Sequence, residues 1–254
     1  MTKLINAQFH ELFKSKWFYI SVIISAFCGA VFTAGMYLYP KFEVPENSTV
    51  VLNKDNILGI VPCFAVSIIP FAAGATVAAI LYSHYSNGTV RNMLACGHTR
   101  SEIFFADTIT MSAATVIYFL CYQLASFSLS IIAFDYDKYD LKAVMVSLSV
   151  MLVMIISTST VVSILLGNII RDGKLAIIIL VVQYALGITI VFGLDNKESA
   201  LADIVQKVFP QSCIFYYSCS SIPEGIAQKL TVSLAVTALL FVIGLLQFKK
   251  CDIK

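Results

Sequence analysis

Residue types able to do chemistry are sparse in this sequence, and they gather most visibly between Tyr82 and Phe104, where His84, Arg91, Asn92, Cys96, His98, Arg100 and Glu102 follow one another. Neither H-E-x-x-H nor G-x-S-x-G occurs. Nothing matches G-x-x-x-x-G-K-[ST], the loop and lysine that hold nucleotide phosphates. His10 stands far from His84 and His98 along the chain, so the three histidines do not converge on a metal by spacing. Asp107 is the only acid near the interior of a long apolar stretch. It reads as an interfacial group helping a helix N-terminal dipole, with a proton relay as the other reading. No catalytic residue, cofactor or metal site is therefore expected in this chain.

The polar stretch does specify a shape. Gly88 supplies a break, and Val90, Met93 and Leu94, with Arg91 and Asn92 opposite, predict a short amphipathic helix ended by Gly97 as its C-cap. Thr99 followed three residues later by Glu102 has the spacing of a capping box that opens the next helix. A helix, a glycine stop and a fresh helix start make a rigid elbow.

The elements that must position this elbow are membrane helices. Of 254 residues, 59% are hydrophobic and 13% charged, where soluble domains carry about 45–50% and about 25%. Residues 17–39, 56–82, 108–133, 143–168, 175–194 and 230–248 contain no Asp, Glu, Lys or Arg. A hydrocarbon core about 30 Å thick needs about 20 apolar residues per helical span, so six transmembrane helices are expected in one domain covering 1–254. The elbow lies between spans two and three. Residues 17–248 form the six-helix membrane domain and 249–254 a cytoplasmic tail. The first stretch is too long for a signal-peptide core and lacks a small-residue cleavage site.

Before it, Ile5, Phe9, Leu12 and Phe13 follow one helical face, while Lys3, Asn6, His10 and Lys14 lie elsewhere on the wheel. Residues 1–16 read either as an amphipathic interfacial helix, with Trp17 and Tyr19 at headgroup level, or as an extension of span one. Pro62 and Pro70, with Ala72, Ala73, Gly74, Ala75, Ala78 and Ala79, predict a bent, closely packed span two. Ser157, Thr158, Ser159 and Thr160 in span four suit helix packing or a polar translocation surface. Between spans five and six, Leu201, Ile204, Val205, Val208 and Phe209 mark an amphipathic outer segment that could gate an exit. Cys213 and Cys219 are close enough in sequence for one external disulfide, with two free thiols the other reading.

An even number of spans places both termini on one side. With the elbow, that side holds ten Lys/Arg against five Asp/Glu, and the opposite side seven against ten. The positive-inside bias makes the first side cytoplasmic. The net charge of +2 gives no reason to expect nucleic acid as a partner.

Gly88-Thr89-Val90-Arg91-Asn92, followed by Gly97-His98-Thr99-Arg100-Ser101-Glu102-Ile103-Phe104, resembles the cytoplasmic loop of ABC-2 type permeases, which commonly carry G-T-[IV]-R and then G-x-[ST]-R before a helix. The C-terminal Phe248-Lys249-Lys250-Cys251-Asp252-Ile253-Lys254 is similar to the ending of many members. The resemblance implies a half-transporter that pairs with a second permease copy or homologue in the cell membrane. It also implies separate cytoplasmic ABC ATPase subunits, which hold the ATP and Mg. It assigns the elbow the role of coupling helix, with Gly88, Arg91, Asn92, Gly97, Arg100 and Glu102 as the ATPase-coupling residues. For Arg91 and Arg100 the other reading is positive-inside anchoring, and for Glu102 a helix cap.

Uncharged spans rich in Phe, Tyr and small residues suit apolar or amphipathic cargo, since a charged solute would find no partner there. The expectation is export of amphipathic or hydrophobic peptides, lipids or drugs from a bacterial cell by alternating access. An ATP-independent carrier or channel is disfavoured because buried charges and paired broken helices are missing from the spans. A non-transporting scaffold or immunity protein is the remaining reading.

Overall fold

The computed structural model describes residues 1–38, 65–133, 140–156 and 224–250, with the single positions 164, 168, 178, 182 and 222. Among the described residues the regular structure is helical: α1 (Thr2–Lys14), α2 (Lys16–Leu38), α3 (Ala65–Ser86), α4 (Thr89–Ala95), α5 (Arg100–Ala133), α6 (Leu141–Met154) and α7 (Ile226–Lys250). Four of these, α2, α3, α5 and α7, contain stretches long and apolar enough to cross a membrane. They overlap the first, second, third and sixth of the charge-free stretches. α6, a shorter apolar helix, overlaps the start of the fourth charge-free stretch and is opened by Asp140, whose carboxylate accepts from the Lys142 backbone N–H at 2.9 Å. The fifth stretch apart from positions 178 and 182, the Ser157–Thr160 cluster, Pro62, the outer amphipathic segment, Cys213 with Cys219, and 251–254 lie outside the described residues.

The helices outrun the charge-free stretches that announce them. α5 begins at Arg100, eight residues before the third stretch, because Glu102 and Asp107 lie within the helix. A charge-free run reports the length that meets hydrocarbon, while the backbone continues its hydrogen bonding into the interface.

The core is a three-helix cluster of α2, α3 and α5, and small or hydroxylated residues set its spacing. A Cβ at Gly29 of α2 would lie 2.5 Å from the Tyr122 carbonyl oxygen of α5, so glycine is what lets these backbones cross so closely. Ala72, Ala73 and Ala78 of α3 are buried, as the small-residue run around Pro70 predicts. Hydroxyls then join the three helices. Ser21 Oγ lies 3.0 Å from Thr76 Oγ1, which lies 2.8 Å from Tyr118 Oη, and Thr33 Oγ1 donates to Ser126 Oγ at 3.1 Å. Each hydroxyl satisfied inside the cluster is one that lipid could not satisfy. The outward face of α2 is apolar and open, with Ile23 and Phe27 the most exposed.

α1 is a helix of its own and not an extension of span one, because Ser15 takes an extended backbone between it and α2. Its buried face differs from the one the apolar pattern suggests. Leu4, Gln8 and Leu12 are buried, Ile5 and Phe9 are half-buried, and Phe13 is exposed. The face has turned because Gln8, polar and assigned no role by an apolar count, finds a partner on α5.

Candidate functional site

The elbow between α3 and α5 is built from local signals that all agree. Gly88 adopts φ 68°, the left-handed conformation that L side chains resist, and ends α3 while starting α4. At the far end Gly97, at φ 90°, closes α4 with paired reversed hydrogen bonds. Its N–H donates to Leu94 O at 3.0 Å, and that of His98 to Met93 O at 3.2 Å. The capping box is present in both directions: the Thr99 N–H donates to Glu102 Oε2 at 2.9 Å, and the Glu102 N–H to Thr99 Oγ1 at 3.3 Å. α4 buries Val90 and rests Met93 and Leu94 half-buried, leaving Arg91, Asn92, Ala95 and Cys96 exposed.

Two ties fix the elbow to the chain ends. Arg100 Nη1 donates to the Lys249 carbonyl at 2.7 Å and to that of Phe248 at 3.4 Å, satisfying carbonyls that the end of α7 leaves open. Beside it Phe104 packs on Phe241 and Phe248, with ring centroids 5.2 and 5.9 Å apart, and Phe105 on Phe241 at 5.1 Å. On the other flank α1 meets both helices that bracket α4. Gln8 Nε2 donates to Asp107 Oδ1 at 2.6 Å, and His84 Nε2 donates to Glu11 Oε2 at 2.9 Å. Thr110 Oγ1 donates to Gln8 Oε1 at 3.4 Å, and His84 Nδ1 faces Asp107 Oδ1 at 3.9 Å. The hydrogen bond from His84 holds the Glu11 carboxyl below the usual carboxylate range, against the opposing pull of partial burial. α1, the C-terminal end of α7 and the elbow thus lie on one side of the bundle.

A model of the family described as ABC-2 family transporter protein matches residues 3–253. The chain belongs to the ABC-2 transporter family. A search of curated proteins found no match. As an ABC-2 member the chain is a multi-pass membrane permease of an ABC transporter, a kind of subunit that partners with an ABC ATPase.

Within this ABC-2 permease the six residues singled out from the sequence fall into three positions. Gly88 and Gly97 are the two left-handed turns of the elbow. Arg91 and Asn92 stand exposed on α4. Arg100 and Glu102 are engaged structurally, the first on the end of α7 and the second as the cap of α5. Asp107 is 2% exposed and bonded to Gln8, two turns into α5, beyond the first turn where a helix N-terminal dipole acts. Sequence reading missed Gln8 and Glu11, and with them the partner of His84. The available signal was that Gln8 lies on the Leu4–Leu12 stripe of α1, one helical turn from each.

Proposed function

We propose that this chain is the transmembrane subunit of an ATP-driven ABC exporter, working as one half of a permease pair and moving amphipathic or hydrophobic peptides, lipids or drugs outward by alternating access. ATP and Mg belong to the partner ATPase, and this chain does no catalysis. The observation that carries the reading is the elbow. α4 offers exposed Arg91 and Asn92 between two helices whose ends are pinned by hydrogen bonds, α3 through His84 and α5 through Arg100 and Asp107. A push on such a segment moves α3 and α5, the two helices at the centre of the bundle. Gly88, Arg91, Asn92, Gly97, Arg100 and Glu102 are its coupling residues, with Arg91 and Asn92 making contact and the other four shaping the elbow. The lysine- and arginine-rich side that carries the elbow is cytoplasmic, and so are both termini. The uncharged spans favour apolar cargo, since desolvating a charged solute there would be costly.

The test is reconstitution of the full chain with its cognate ATPase, comparing wild type with an Arg91→Ala, Asn92→Ala variant. Both residues are exposed, so the variant keeps the fold. Association should weaken about tenfold or more, as for truncation of an interface hot spot. Wild-type affinity in the variant would remove α4 as the contact, and failure of any ATPase to associate with wild type would remove the exporter reading.

A further inference from the structure

The buried polar cluster of α1, α3 and α5 lies outside α4 and its two glycine turns. Asp107 is 2% exposed and His84 1%, and both are bonded to side chains of α1. Such groups are costly to place beside hydrocarbon, and a simpler sequence would fill the same contacts with apolar residues. What distinguishes them is position. His84 lies in the last turn of α3, four residues before Gly88, and Asp107 lies seven residues after the start of α5. Glu11 and Gln8 are three residues apart on α1, so they sit on neighbouring turns of one face. A single rigid helix therefore holds the ends of both helices that flank the elbow.

We propose that α1 is a brace across the elbow, with Gln8 and Glu11 as positioning residues that bind Asp107 and His84 and force α3 and α5 to move together when α4 is pushed. Directional hydrogen bonds suit this task better than apolar contact, because they resist sliding and rotation as well as separation. Without the brace, α4 tilts on its two glycine hinges, Gly88 and Gly97, and its displacement is lost there. With it, displacement reaches the far ends of α3 and α5. The inference rests on the coupling reading of α4 and deepens it by naming what makes the elbow stiff. It assigns the N-terminal helix a mechanical role in place of a membrane-anchoring one.

The experiment uses the full chain with its ATPase in lipid nanodiscs and two separate spin-label positions. One is Cys96, exposed at the end of α4, with the other six cysteines replaced by serine. The other is a Leu120→Cys site in the same background with Cys96→Ser. Leu120 is exposed on α5, about 30 Å from Arg100 at 1.5 Å per residue. Wild type should give a nucleotide-dependent spectral change at both positions. In Gln8→Ala, Glu11→Ala the change at Cys96 persists, while that at Leu120 falls about threefold or more, within the range by which residues along a coupling route alter it. The conservative Glu11→Gln and Asp107→Asn variants, which retain hydrogen-bonding groups at both ties, keep the Leu120 response. If the double variant fails to insert, Glu11→Ala alone serves, because the Glu11 side chain is 41% exposed and leaves no cavity. An undiminished Leu120 response in the braceless variant overturns the brace while leaving the coupling reading intact. No change at Cys96 in wild type overturns the coupling reading, and the brace with it.

Discussion

α3 and α7 make an instructive pair. In an 18-residue apolar stretch of α3, within Ile68–Ser86, the mean hydropathy is 1.3 and 61% of the stretch is buried, whereas in that of α7, within Ile226–Lys250, the values are 2.2 and 11%. The more apolar helix is the less buried one, the reverse of what water would select. In a bilayer the rule inverts. Lipid has no quarrel with Leu, Val and Phe, so α7 can show it Leu239, Val242 and Leu246. The protein interior instead collects the small and hydroxylated side chains that let backbones approach and that need partners, which are the Ala and Thr residues of α3. α7 is held at its C-terminal end by Arg100, Phe104 and Phe105 of α5, and α3 along much of its length.

The sharpest way to break this contrast is at the closest crossing. Gly29→Ala should destabilise by about 3 kcal/mol, since the new methyl meets a backbone oxygen that cannot swing away. Gly35→Ala on the same helix, where nothing lies within 4 Å, should be neutral or slightly stabilising. Thermal unfolding in detergent compares the two, and equal effects would contradict the crossing.

Next in size, Ala73→Leu in α3 should cost about 2 kcal/mol by overpacking a site that is 1% exposed. Leu239→Ala on the open face of α7 should change stability by less than about 0.5 kcal/mol. A larger loss at Leu239 would mean that this face is covered by protein, and would point to a second permease copy there.

Arg100→Ala should cost about 1 kcal/mol by leaving the last carbonyls of α7 without a cationic donor. The loss should appear as faster amide exchange confined to the end of α7, with Arg100→Lys intermediate. Uniform loosening of α5 instead would show that Arg100 serves its own helix.

The smallest effect concerns pH. Because the folded-state Glu11 carboxyl is held below its ordinary value by His84, its contribution is present at neutral pH. That contribution is lost as pH falls through the lowered value, where the carboxylate gains a proton. Amide protection in α1, taken relative to the intrinsic exchange rate at each pH, should therefore fall below the usual carboxylate range, and Glu11→Gln should flatten that dependence.

The elbow was legible in the sequence because each part of it is local. Gly88, Gly97 and the Thr99–Glu102 box act within a few residues, and their spacing states the geometry they form. The four helices long and apolar enough to cross a membrane were legible for a similar reason, since hydrocarbon selects on length and charge alone. The ties were not. Gln8 and Asp107 lie 99 positions apart, Glu11 and His84 73, and Arg100 and Lys249 149. Their meeting depends on how helices cross, which is set by residues such as Gly29 and Thr76 that look like ordinary span content. The apolar count on α1 chose a face that includes Phe13 and omits Gln8, because periodicity cannot register a polar group whose partner arrives from elsewhere.

The central claim is that α4 is the surface a partner ATPase grips, and Cys96 tests it without altering that surface. In the chain whose other cysteines are serine, the rate of Cys96 modification by a membrane-impermeant maleimide would be measured with and without the ATPase. The account predicts about tenfold protection on complex formation, lost in the Arg91→Ala, Asn92→Ala variant. An unchanged rate in a complex shown to have assembled would contradict it.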